Sequence, residues 1–446
     1  MPRSLSSPLT LCALLLALSP LHPFTPSPLQ PLQAAEAKPA PRPGTNDDES
    51  KVPPYTLPDA LICRDGSLVT DAKTWNEKRR PELLELFKSQ MHGRSPDKPD
   101  GLFFKIESDD TKALNGLATR LEIAIHLAQD ADAPQIHLLL YIPNNAKTPV
   151  PVFISPNFDG NHSIDADPKI SIREEWTWNG KEKRDALVRP AESTRGKSTG
   201  RWELETIIKR GFALATFARN EVEPDYAQGW THGIRGYYLR KSGKKEFAPD
   251  DWGAVAAWAW ACSRALDYLE TDKAIDAKHA IVLGHSRLGK AALWAGASDP
   301  RFALVISNDS GEGGAALARR WYGETTAVIN RSFPHWFCAN FKQYGGNEAA
   351  LPFDQHELLA LVAPRPLYVA SAEEDRWSDP KGEFLSAKFA GPVYKLFGKT
   401  GVNVDDLPAV NTPVGETIGY HIRTGKHDVT DYDWNQYLNF AERHFK

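Results

Sequence analysis

The stretch Ile281-Val282-Leu283-Gly284-His285-Ser286-Arg287-Leu288-Gly289-Lys290 decides how the rest of the chain is read. An apolar strand over Ala280–Leu283 runs into a serine and is followed by a helical pattern from about Arg287 to Ala297, which stops before Asp299-Pro300. That order reads as a nucleophile elbow, in which small flanking residues allow a sharp turn that projects the serine hydroxyl. The usual spacing is G-x-S-x-G, but here Leu288 takes the place of the second glycine and Gly289 follows one residue later. Two other readings compete. The letters also spell G-x-x-x-x-G-K, a phosphate-cradling loop, although Ala291 stands where that loop needs Ser or Thr to hold magnesium. The third is a tight strand–helix turn without chemistry.

A nucleophile elbow makes demands elsewhere in the sequence. The serine needs a histidine base, and the histidine needs a carboxylate to fix its tautomer. In α/β-hydrolases these follow the serine in the order acid, then histidine, each on a loop after a sheet strand. His427 meets the requirement, lying in a polar loop between the apolar run Ile418–Arg423 and the last helix, about Asp431 to Phe445. His421, His335 and His356 are less well placed. Two carboxylates fit the acid role: Asp309, after the run Ala303–Ser307, and Asp375, after the run Leu367–Ser371. Asp375 is in the commoner position, and position alone does not choose between the two.

Further outward, Ile136–Ile142 and Val152–Ser155 look like neighbouring strands, and Phe212–Thr216 like another. Asp250 or Asp251 can cap a helix whose inward face carries Val255, Trp258, Cys262 and Leu266. Continuous apolar strands alternating with helices indicate a mostly parallel central sheet covered on both faces. The fold class is therefore α/β, a three-layer sandwich, with residues 160–200 a polar surface insertion. The expected organisation is an export signal over residues 1–37, a flexible Pro/Ala-rich leader over 38–53 and one catalytic domain over 54–446.

The export reading rests on Arg3, the apolar stretch Leu9–Leu18 and a plausible cleavage site at Ala35-Glu36-Ala37. It makes the mature protein secreted or periplasmic. The apolar stretch is too short to span a membrane, and no later one reaches its length. Cleavage would leave Cys63, Cys262 and Cys338, enough for one disulfide at most, and none lies in a CxxC pair that would suggest zinc. With 53 basic against 57 acidic residues among 446, the chain has no nucleic-acid footprint. Neither a metal nor another cofactor is required, and a monomer is expected.

Assembled in this way, the chain resembles the bacterial glucuronoyl esterases of carbohydrate esterase family 15. The resemblance is carried by G-x-S-R-x-G-K from Gly284 to Lys290 and by NFDGNH from Asn157 to His162. NDSGEGG from Asn308 to Gly314 adds to it, as do the segments Trp75 to Pro96, Ala363 to Pro380 and Gly425 to Thr430. It implies an α/β-hydrolase fold with Ser286 as nucleophile, His427 as base and Arg287 stabilising the oxyanion. The acid follows either strand in the family, often as Glu at the earlier one, where Asp309 is a methylene shorter. Lys290, Glu324 and Trp377 match positions that hold a glucuronate ring. The implied partner is a glucuronate-bearing carbohydrate, as in ester links between glucuronoxylan and lignin. An acetyl esterase on plant polysaccharide, or an inactive carbohydrate-binding protein on the same fold, are the alternatives.

Overall fold

In the computed structural model the described residues are 44–130 and 132–445, so the export-signal reading lies outside them. Strands β1 (Phe103–Lys112), β2 (Ala118–His126), β3 (Gln135–Pro143) and β4 (Val150–Asn157) precede a separate hairpin, β5 (Glu175–Asn179) and β6 (Arg184–Val188). Strands β7 (Ala213–Ala218), β8 (Ile275–His285), β9 (Leu304–Asn308), β10 (Leu367–Ala372), β11 (Val414–Gly415) and β12 (Ile418–Arg423) follow. The ten-stranded sheet has the order β1-β2-β3-β7-β4-β8-β9-β10-β12-β11. Its pairs are parallel from β7 through to β12 and antiparallel at both edges. This is the expected α/β-hydrolase sandwich.

The central strands are buried on both faces, which is why their sequences are continuously apolar. Val282, Val305 and Val369 point into one core, while Ile281, Ile306 and Tyr368 point into the other. Helices α1 (Ala254–Leu269), α2 (Arg287–Ser298) and α3 (Pro380–Lys395) cover the first face, and α4 (Asp431–Phe445) covers the second.

Several sequence expectations change. The strands β3 and β4 are not neighbours, because β7 lies between them; hydrophobic runs reveal strands but not their order. Helix α1 is capped by Gly253, not by Asp250 or Asp251. Its first amides donate to the carbonyls of His335 and Trp336, while Asp250 pairs with Arg94 and Asp251 accepts from Ala248. Nor does α1 have only one inward face, since all its residues are buried. The three cysteines are buried and free. The insertion starts inside the protein, with residues 161–164 buried, before the hairpin reaches the surface. The described part of the leader is held in place: Asn46 is buried, and Glu49 pairs with Arg320 at 2.8 Å and Lys381 at 2.7 Å. No helix of the described residues is long and apolar enough to cross a membrane.

Candidate active site

The chain leaves β8 at His285, passes through Ser286 alone and enters α2 at Arg287. Ser286 has φ 57° and ψ −128°, a backbone region that costs a residue with a side chain about 1–3 kcal/mol. Neighbouring bonds hold it there. The Ser286 amide donates to the Asn308 carbonyl at 2.9 Å, and its carbonyl accepts from the Gly289 and Lys290 amides. A Cβ at Gly284 would lie 1.9 Å from the Leu288 carbonyl oxygen, so the turn requires glycine there. At Gly289 a Cβ would sit 3.0 Å from the Ser310 Cβ, whereas the Leu288 side chain packs into the core. The displaced second glycine thus follows from which helix position meets the loop after β9. A one-residue turn leaves no room to wrap a phosphate, and Lys290 is buried against the Ser310 carbonyl. The phosphate-loop reading is therefore set aside.

Parallel register brings the other groups to the same sheet edge. His285 pairs with Asn308, Asn308 with Ala370 and Ala370 with His421, so the loops after β8, β9, β10 and β12 leave the sheet side by side. The last two are stitched together, because Glu373 and Glu374 donate amide protons to the Arg423 and Gly425 carbonyls. Across them His427 Nδ1 lies 2.6 Å from Asp375 Oδ2. The Asp375 side chain is 5% exposed and that of His427 39%, so the carboxylate is shielded while the ring reaches the cavity. Asp309, Asp375 and His427 each bring a possible ligand atom within 4.8 Å of the others. With Nδ1 already committed to Asp375, the cluster is arranged for proton handling.

Asp309 stands apart electrostatically. It is buried at φ 44°, and neither carboxyl oxygen has a hydrogen-bond partner among the described residues. The nearest cation, Arg423, is 3.6 Å away. Burial pushes its carboxyl well above the usual range, and Asp375 and Glu383 push the same way against Arg423. A folded-state value above the unfolded one means that the native protein holds a proton the unfolded chain releases. This stabilisation is complete below the unfolded value near 3.8 and is lost as pH rises toward the folded value. Asp309→Asn, which mimics the neutral acid, should therefore show a smaller fall in melting temperature than wild type between pH 4 and pH 8. Parallel melting curves for the two proteins would refute this.

The cationic side of the cavity is built around Asp225. Its carboxylate accepts from Arg287, His335 at 2.9 Å and Trp336 at 2.7 Å, and is ion-paired with Arg219. Burial opposes its ionisation, yet Arg219, His335 and Arg287 hold the carboxyl well below the usual range. The Arg287 guanidinium carbon also lies 4.8 Å from the centre of the Trp336 ring and 5.3 Å from that of Phe333. Lys290 sits 5.6 Å from the Trp336 ring, its affinity for a proton lowered by burial and partly restored by Glu324 and Glu312. The Glu324 amide donates to the Trp377 carbonyl at 2.9 Å. Ser286, Arg287, Lys290, Asp309, Glu324, Asp375, Trp377 and His427 all line one cavity of about 370 Å³. It falls within the range of small-ligand pockets.

Three supporting residues were not anticipated. Asp225 carried no motif; its only signal is a polar segment after a strand. Arg423 ends β12 and donates to the carbonyls of Thr424, Lys426 and Asp428, shaping the loop that bears His427. Glu383 on α3 accepts from the Ser310 and Gly311 amides and from the Ser371 hydroxyl, holding the Asp309 loop from behind. The histidines judged less well placed are used elsewhere: His421 is buried on Asp433, His335 binds Asp225 and His356 meets the Pro58 carbonyl.

Comparison with known proteins agrees with this architecture. A model of fungal glucuronyl esterases matches residues 199–398. The carbohydrate esterase MZ0003, from an unknown prokaryotic organism, is 48% identical over 403 residues, covering 90% of this chain and 92% of that protein. A glucuronoyl esterase structure from Solibacter usitatus superposes with a TM-score of 0.85 at 50% identity, over 89% of this chain and all of that one. A promiscuous family 15 esterase from a marine bacterial metagenome gives 0.83 at 48% identity, over 90% of this chain and all of that one. Similarity of this extent along almost the whole chain leaves one assignment: the protein belongs to carbohydrate esterase family 15, the glucuronoyl esterases, and is a carboxylic ester hydrolase.

Proposed function

We propose that the protein is a secreted serine esterase that hydrolyses esters of glucuronic or 4-O-methylglucuronic acid, as in lignin–glucuronoxylan linkages. The observation that carries the reading is the composition of one cavity. A strained serine and a carboxylate-bound histidine share it with two cations and with Glu324 and Trp377. Ser286 Oγ attacks the ester carbonyl as His427 Nε2 takes its proton, and Asp375 holds the Nδ1–H and stabilises the imidazolium. The negative charge that develops on the carbonyl oxygen meets Arg287 and the amide at the start of α2. Collapse of the tetrahedral intermediate returns the proton to the leaving alcohol, and water then repeats the sequence to release the acid. Lys290 and Glu324 serve as partners for ring hydroxyls, and Trp377 supplies a flat wall.

Arg287→Ala should lower kcat by roughly a hundred- to a thousandfold with little change in KM, because the charge it meets develops only in the transition state. A pure rise in KM would contradict that role. Asp225→Ala should reproduce part of the loss by releasing the guanidinium.

A second reading, an acetyl esterase, is favoured by the promiscuity attributed to the marine relative. The discriminating assay compares acid released from benzyl glucuronate with acetate released from acetylated xylan. A clear preference for the uronate ester is expected, and a preference for acetate would favour the second reading.

A further inference from the structure

A second cleft, of about 540 Å³, is lined by residues 53–56, Arg319, Trp321 and residues 346–349. Trp321 belongs to this cleft and Glu324 to the catalytic cavity. Three residues of chain reach at most about 11 Å, so the two hollows are close. The connection is also rigid. The Gly323 amide donates to the Asn46 carbonyl at 2.6 Å and the Glu324 amide to the Trp377 carbonyl at 2.9 Å.

Trp321 is the unusual residue in this segment. Its φ of 52° and ψ of 45° place it in the left-handed region, which bulky residues seldom adopt. It nevertheless leaves 37% of its surface exposed. The half-buried Tyr55 adds a second ring to the cleft wall.

The charge of the lining selects the ligand. Arg319 is the cation there, but its guanidinium is committed to the carbonyls of Phe353 at 2.7 Å and Leu351 at 2.5 Å and to Asp354 at 3.1 Å. Glu348 is buried, its carboxylate accepting from the Gly346 amide at 3.2 Å, and Asn347 contributes an exposed amide. This surface disfavours a uronate and suits a neutral sugar, which offers C–H faces to rings and hydroxyls to the polar groups. The catalytic cavity differs in holding two cations, Arg287 and Lys290, beside the carboxyl groups of Asp309, Glu324 and Asp375.

We propose that this cleft binds neutral sugar residues of the polysaccharide backbone from which the esterified uronate branches, with Trp321 as the stacking platform. The proposal rests on the uronate reading of the catalytic cavity. Kinetics of Trp321→Ala and Trp321→Phe on benzyl glucuronate, and on a methyl glucuronate ester borne on a xylo-oligosaccharide, would test it. Trp321→Ala should leave benzyl glucuronate turnover unchanged and raise KM for the oligosaccharide ester roughly three- to tenfold, while Trp321→Phe retains most of the wild-type value. Xylohexaose, titrated calorimetrically, should bind wild type and not Trp321→Ala. Trp321→Gly suits the positive φ and should keep the wild-type melting temperature, separating lost binding from lost folding. Equal effects on both esters, no effect on either, or undiminished xylohexaose binding by Trp321→Ala would overturn the proposal. If wild type hydrolyses neither ester, the uronate reading fails, and the xylohexaose titration still decides whether the cleft binds neutral sugar.

Discussion

Ser286→Ala should lower kcat on a glucuronate ester by about 10⁵- to 10⁶-fold, the scale of loss when an activated serine nucleophile is removed. The fold should tolerate the change, since Ser286 is held through its backbone, by Asn308, Gly289 and Lys290. His427→Ala should bring a loss of the same order, because serine and base act as one unit. The two changes together should cost scarcely more than either alone. Circular dichroism and melting temperature should stay near wild type in both. A Ser286→Ala protein that keeps even a hundredth of the activity would rule out the serine mechanism.

The second large effect concerns the acid. Asp375→Asn should reduce kcat by about 10⁴-fold, because an amide opposite Nδ1 favours the wrong imidazole tautomer. Asp309→Asn should cost far less. Its carboxyl lines the cavity without a hydrogen-bond partner among the described residues, and burial favours its neutral form, which asparagine resembles in shape. The double variant should lose less than the product of the separate losses, since the two carboxyls lie within 4.8 Å of each other and of the same histidine and are coupled through charge. A larger loss from Asp309→Asn would reverse the assignment, and fully multiplicative losses would mean that the two do not share the histidine.

How far the sequence could be read depended on whether a feature is local. The elbow was legible because strand, turn and helix are consecutive, and the run Ile418–Arg423 marked β12 with the same bounds as the structure. Strand order was not legible: β7 enters between β3 and β4 from 56 residues beyond the end of β4, and no run of apolar residues records that choice. The cap of α1 was misassigned for a related reason. Asp250 and Asp251 have capping side chains, but carbonyls from residues 335 and 336 satisfy the helix amides instead. Asp225 and Glu383 were missed because their roles come from partners distant in the chain, Arg287 for one and the Ser310 loop for the other. Chemistry carried by a short motif was readable, whereas the residues that hold that chemistry in position were not.

The proposed mechanism requires that Ser286 be acylated by glucuronate during turnover. The most direct measurement is rapid acid quenching of the enzyme mixed with excess benzyl glucuronate, followed by mass spectrometry of its peptides. One glucuronoyl group is expected on the peptide containing Ser286, absent from Ser286→Ala. Release of glucuronic acid with no acylated peptide at any quench time, or with the acyl group on another residue, would contradict it.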